Sequence, residues 1–161
     1  MVYSSNITHA QVSGAIKAVV LAASQDETVP VLNMVKVEIK GDRVILIATD
    51  RYRAARVTMG PFTNEDGDDT FTITRADALR LAGYKPRWKN GFVVLSIRED
   101  VMAIGDGGPS EVIVPIIRDA KYPSVERVWP DRFSDTREKD VLKSGWLEDL
   151  GKFGRLLKAD Q

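Results

Sequence analysis

Apolar residues at Val12, Ile16, Val19, Val20 and Ala23 recur in steps of three and four, which places one hydrophobic face on a helix over residues 9–24. Thr8 and Gln11 stand ahead of it at the spacing of a capping box, where a hydroxyl and a side-chain amide satisfy backbone groups left open by the first turn. Residues 25–30 (QDETVP) are a polar turn closed by proline, and beyond it the pattern turns to β. Residues 35–39 and 43–49 read as a hairpin about Lys40-Gly41-Asp42-Arg43, with 52–58 as a third strand. Gly60-Pro61 and an acidic loop interrupt before 70–73 resumes the strand pattern. Thr74 then opens a second helix as its cap, Asp77 favours the positive end of the helix dipole, and Ala78, Leu79 and Ala82 form the expected apolar face. Gly83 terminates it and Pro86 prevents continuation. Residues 92–97, 101–104 and 111–116 read as three more strands, separated by turns at 98–100 and 105–110. A helix followed by strands therefore occurs twice. The pattern predicts an α+β domain, two helices packed on antiparallel sheets with an internal pseudo-twofold repeat, and no βαβ alternation calls for a parallel sheet.

Residues 121–130 (KYPSVERVWP) read as an extended connector bracketed by prolines, and 131–139 are charged and turn-rich. We therefore expect one domain over 1–130 and a separate piece over 131–161. In that piece Val141 and Leu142 start a strand, and Trp146, Leu147, Leu150, Phe153, Leu156 and Leu157 mark a helical apolar face. A strand and a helix cannot bury such a face alone. It must pack on the main domain or on a neighbouring subunit, or open a further domain.

Composition narrows the chemistry. The 161 residues hold no Cys and a single His, which excludes a disulfide framework, thiolate metal sites and a cysteine nucleophile. Phosphate-loop (GxxxxGK) and HExxH patterns are absent, and 105–110 (GDGGPS) lacks the lysine that a phosphate loop needs. His9 falls in the first turn of a helix, where a solvated or capping role suits it better than that of a ligand or base. Residues 64–69 (NEDGDD) miss the alternation and the distal Glu of a calcium loop and read as a solvated turn. No cofactor, no metal and no catalytic residue is expected. The longest apolar run, 18–23, is too short to span a membrane, and the N-terminus lacks a signal-peptide pattern, so a soluble cytoplasmic protein is expected. Lys and Arg number 23, as do Asp and Glu, yet the charges are unevenly placed. Residues 64–69 carry four carboxylates, and 75–89 carry five cations against Asp77. Neutrality argues against a protein that coats nucleic acid but not against one offering a single basic face.

Three segments, 22–39 (AASQDETVPVLNMVKVEI), 47–55 (IATDRYRAA) and 122–130 (YPSVERVWP), together resemble the bacterial DNA sliding clamp, the β subunit of the replicative polymerase. They come in that family's order and spacing, the resemblance covers most of 5–130, and it points to the middle domain. Residues 139–159 are similar to the first strand and helix of the family's third domain. The chain departs from the family pattern at Arg51, where glycine is usual, and at Ala54, where leucine is usual.

The resemblance implies a DNA-clamp fold and a non-enzymatic processivity factor, or a fragment of one. In such a ring three domains per subunit and two subunits encircle duplex DNA, binding its backbone without regard to sequence. Partners implied are double-stranded DNA, the replicative polymerase, the clamp loader and other proteins with clamp-binding motifs, together with a possible homo-oligomer. The groove for such motifs corresponds here to Leu32, Thr49, Arg51, Tyr52, Arg53, Ala54, Pro123, Arg127 and Val128. Apolar side chains and an aromatic suit a Leu or Phe anchor, and arginines can bond peptide carbonyls at the rim. Leu32 and Val128 as ordinary core residues, and Tyr52 as a routine strand aromatic, form the competing reading. The DNA-facing set is Lys17, Arg75, Arg80, Lys85, Arg87 and Lys89, for which a solvated charged helix is the alternative. At the level of function the alternatives are a stand-alone clamp-like interaction module that binds such peptides without encircling DNA and, more remotely, a nucleotide-processing enzyme with an unfamiliar site.

Overall fold

A computed structural model of the chain describes residues 2–88 and 91–125. Nine strands and two helices follow in the order β1 (Val2–Thr8), α1 (His9–Val20), β2 (Met34–Lys40), β3 (Arg43–Thr49), β4 (Ala54–Met59), β5 (Thr63–Asn64), β6 (Asp69–Thr74), α2 (Arg75–Ala82), β7 (Phe92–Ile97), β8 (Val101–Gly105) and β9 (Glu111–Pro115). A short 3-10 turn, Pro30–Asn33, leads into β2. Every pairing is antiparallel, in one sheet ordered β5-β1-β7-β8-β9 and a second ordered β4-β3-β2-β6.

The repeat is visible in this order. Each half is a strand, a helix and a three-stranded meander, β1-α1-β2-β3-β4 and β6-α2-β7-β8-β9, and each half lends its leading strand to the other half's meander. Thus β1 pairs with β7, from Val2↔Ile97 to Thr8↔Phe92, and β6 pairs with β2, from Met34↔Thr74 to Ile39↔Asp69. The exchange makes neither half a separable unit.

Both helix starts form as their sequences predict. The Thr8 hydroxyl accepts the Gln11 amide at 3.2 Å while the Gln11 side chain accepts the Thr8 amide at 2.8 Å. At α2 the Thr74 hydroxyl accepts the Asp77 amide at 3.1 Å. Val12, Ile16 and Val19 of α1, Leu81 of α2, Val35 and Ile39 of β2, Leu46 of β3, Phe71 and Ile73 of β6, Leu95 of β7 and Met102 and Ile104 of β8 are all almost wholly buried in one hydrophobic cluster. Each such side chain contributes about 1.5–3 kcal/mol of transfer free energy. Between β2 and β3 the chain turns through Gly41, whose φ of 57° a residue without Cβ adopts freely.

Several expectations are corrected. β1 and β5 were not foreseen. Helix α1 ends at Val20 rather than 24, because the amides of Ala22 and Ala23 bond to the carbonyls of Val19 and Val20, three residues back, and the last turn tightens. The strand expected at 52–58 begins at Ala54, since 50–53 form a turn. On α2 Leu81 faces the core and Leu79 is 37% exposed, so the apolar face is Ala78, Leu81 and Ala82.

After β9 the chain crosses to the second sheet. Thr72 and Ile117 exchange backbone hydrogen bonds at 2.8 Å each along the free edge of β6. The Arg118 guanidinium then binds both oxygens of Asp69 at 2.8 Å and the Glu99 carbonyl at 2.7 Å. The chain divides into two compact units, Met1–Pro123 and Ser124–Gln161, and of the second only Ser124 and Val125 are described. The strand and helix expected within 131–161 lie outside the described residues. Among the described residues no helix is long and apolar enough to cross a membrane.

Candidate functional site

The turn between β3 and β4 is built by two side chains. Thr49, buried at the end of β3, donates its hydroxyl proton to the Arg53 carbonyl at 2.8 Å and accepts the Arg51 amide at 3.2 Å. One Asp50 carboxylate oxygen accepts the amides of Tyr52 and Arg53, both at 3.0 Å, and the other accepts Arg53 Nε at 3.0 Å. Burial pushes the Asp50 carboxyl upward, but its bonds to Arg53 and Tyr52 outweigh that and hold it below its ordinary value. This is the behaviour of Thr and Asp that makes them turn formers, side-chain oxygens standing in for backbone acceptors. The turn forces Arg51 to a φ of 80° and throws Tyr52 outward, 97% exposed, with Arg51 and Arg53 also exposed.

Two further parts of the expected groove converge on this turn. Leu32 lies in the 3-10 turn before β2, where its carbonyl accepts the Ser24 amide at 2.9 Å; its side chain is buried, yet it stands outside the main hydrophobic cluster. From the connector, the Tyr122 hydroxyl accepts the Thr49 amide at 3.2 Å and lies 3.4 Å from the Met34 carbonyl and 3.5 Å from that of Ile47. Pro123 beside it and Ala54 at the start of β4 are half-buried. Arg127 and Val128 lie outside the described residues. The structure thus gathers Thr49, Arg51, Tyr52, Arg53, Ala54 and the 122–123 connector about one turn, with β2 joining Leu32 to the same end of the sheet.

Sequence reasoning passed over two residues here. Asp50, inside the ATD run, builds the turn, and its position two and three residues before the amides it binds is the signature that would have marked it. Tyr122 gives no local signal, since its partners are far along the chain.

The second candidate surface lies on the helices. They pack directly together, and the buried Ser13 hydroxyl of α1 donates to the Ala82 carbonyl of α2 at 3.0 Å. Their less buried positions are His9, Ala10, Gln11, Gly14, Lys17 and Ala18 on α1 and Arg75, Ala76, Asp77, Leu79 and Arg80 on α2. Lys17, Arg80, Lys85 and Arg87 are exposed, though Arg80 bonds to Asp77 at 2.9 Å. Arg75 is half-buried, and its Nε is buried without a hydrogen-bond partner, so it is less available than expected. Lys89 lies outside the described residues. Asp106 fixes the exit from α2, accepting the Arg87 amide at 2.9 Å and the Gly108 amide at 3.0 Å, and those two amides hold its carboxyl below the ordinary range.

Comparison with known proteins gives a consistent picture. The family described as DNA polymerase III beta subunit, central domain, matches residues 6–84. A beta sliding clamp from Micrococcus luteus is 28% identical over 117 residues, 73% of this chain and 37% of its own. One from Streptomyces coelicolor is 51% identical over 43 residues, 27% of this chain and 11% of its own. Among solved structures, the DNA polymerase III subunit beta from Pseudomonas aeruginosa superposes with a TM-score of 0.66 at 21% identity, covering 81% of this chain and 35% of that one. The beta subunit from Thermotoga maritima gives 0.65 at 18%, covering 79% and 34%. The fold is the clamp-domain fold, and the match spans little more than a third of the length of the Micrococcus, Pseudomonas and Thermotoga proteins and less of the Streptomyces one.

Proposed function

We propose that the chain, whose residues 6–84 match the family described as DNA polymerase III beta subunit, central domain, works as a non-enzymatic DNA sliding clamp component, holding replication proteins on duplex DNA through a peptide groove. The observation that carries this reading is the turn at 49–53. Its backbone is fixed by Thr49 and Asp50, while Tyr52 stands almost fully exposed between two exposed arginines, of which Arg53 is bonded to Asp50. An exposed aromatic beside guanidinium groups on a rigid turn is what an apolar peptide anchor with free carbonyls requires. Ala54 and Pro123, both half-buried, supply apolar surface, Leu32 at the same end of the sheet is buried, and Arg127 and Val128 complete the proposed set. The domain boundary near residue 130 belongs to the same reading, with 131–161 beginning a further clamp domain.

Partners on this reading are polymerase, clamp loader and other proteins with clamp-binding motifs, together with the DNA backbone and further copies of the chain, in the cytoplasm. The test is fluorescence anisotropy with a short labelled peptide bearing adjacent Leu and Phe anchors. Binding is expected, and Tyr52→Ala is expected to weaken it by about 1–2 kcal/mol, the loss of one aromatic contact. Equal affinity for wild type and Tyr52→Ala removes the turn from the binding surface.

A further inference from the structure

The ladder between β2 and β3 runs from Lys40↔Arg43 to Lys36↔Ile47. In the same register Val35 would next face Ala48, and Met34 would then face Thr49. A phenol stands there instead. The Tyr122 oxygen accepts the Thr49 amide at 3.2 Å, and its single proton is shared between the Met34 carbonyl at 3.4 Å and the Ile47 carbonyl at 3.5 Å. The connector therefore completes the ladder where the two strands part. Burial pushes the phenol up to about 12 against a lowering by the Thr49 amide, so the hydroxyl keeps its proton across the physiological range.

Thr49 is the residue through which this contact reaches the candidate groove. Its amide is held by Tyr122, and its hydroxyl holds both the Arg53 carbonyl and the Arg51 amide. We propose that Tyr122 is a positioning residue of the peptide groove, whose hydroxyl fixes the end of β3 and thereby the turn that presents Arg51, Tyr52 and Arg53. The proposal rests on the peptide-binding reading above. It makes the groove depend on the seating of the connector as well as on the surface of the sheet. A connector drawn away from the sheet would take with it the bond that holds Thr49.

Tyr122→Phe tests this, because the ring still fills the space while the Thr49 amide and two carbonyls lose their partner. In the full chain, affinity for the Leu-Phe peptide is expected to fall about tenfold, about the net worth of one hydrogen bond, and exchange of the Thr49 and Arg51 amides is expected to quicken. The control is Ser13→Ala, which removes a buried hydrogen bond to Ala82 away from the turn. It is expected to lower the melting temperature and leave peptide affinity unchanged. Wild type that fails to bind the peptide overturns the peptide-binding reading itself. Wild type and Tyr122→Phe that bind equally, with Tyr122→Phe merely less stable, overturn the positioning role alone. If Tyr122→Phe does not fold, amide exchange in wild type decides: the peptide is expected to slow exchange at Thr49, and an unchanged rate overturns the proposal.

Discussion

Arg51 occupies a left-handed conformation, φ 80°, at the position where the resemblance to clamps places a glycine. An L-residue there brings its Cβ close to backbone oxygen and costs about 1–2 kcal/mol, of which glycine's greater freedom in the unfolded chain returns a part. Thr49 and Asp50 over-determine the turn strongly enough to hold the arginine in place. Arg51→Gly is accordingly expected to raise the free energy of unfolding by about 0.5–1 kcal/mol, read from urea denaturation. A destabilised variant would show that the arginine's own contacts outweigh the strain. The turn itself was legible in principle, since Thr49, Asp50 and Tyr52 within four positions are a local turn signal, although the strand expected at 52–58 ran across it and the groove set came from the resemblance. Tyr122 was not. A hydroxyl that bonds the backbone across a sheet leaves no periodicity, and its neighbours Lys121 and Pro123 are those of any connector.

At the scale of elements, local chemistry decided where the sequence could be read. Thr8 with Gln11 and Thr74 with Asp77 cap helices through contacts three residues apart, and both are found as bonds in the structure. β1 is different. Its sequence, VYSSNIT, carries three polar residues in a row, and the register with β7 shifts between Ser4 and Ile7, so the two-residue alternation that reveals a strand is broken. What makes it a strand is its place beside β7, which no local window contains. The face of α2 is a subtler case. In an eight-residue helix Ala78, Leu79, Leu81 and Ala82 satisfy two apolar faces equally, and packing selects Leu81, which has no exposed surface. Leu81→Ala is therefore expected to cost about 2–5 kcal/mol, the range for a leucine removed from a closed core, and Leu79→Ala less than about 0.5 kcal/mol. Paired thermal and urea unfolding of the two variants checks the assignment, and equal losses would restore the face expected from sequence.

For the whole molecule the question is what zero net charge permits. Carboxylates and cations balance at 23 each, so no general field draws the chain to DNA, and any attraction must come from where the charges sit. Part of the acidic segment is occupied internally, since Asp69 holds Arg118 and Asp68 accepts the Gly41 amide. On the helical side Arg80 is tied to Asp77 and Arg75 is half-buried, which leaves Lys17, Lys85 and Arg87 as the exposed cations best placed to meet phosphate among the described residues of the proposed set. Each neutralised phosphate lowers the slope of log affinity against log salt by about 0.9, so three contacts predict a slope of about −2.7 that is the same for duplexes of unrelated sequence. Replacing Lys85 and Arg87 together by Glu should bring that slope to about −1 or nearer zero, measured by anisotropy on a labelled duplex across a salt series. Arg80→Glu should change it less than either of those, because that guanidinium already has an ionic partner and its loss frees Asp77 rather than a phosphate. A slope unmoved by the double substitution would place the DNA contact on another face. Sequence dependence in wild type would argue for readout of bases rather than contact with the backbone alone.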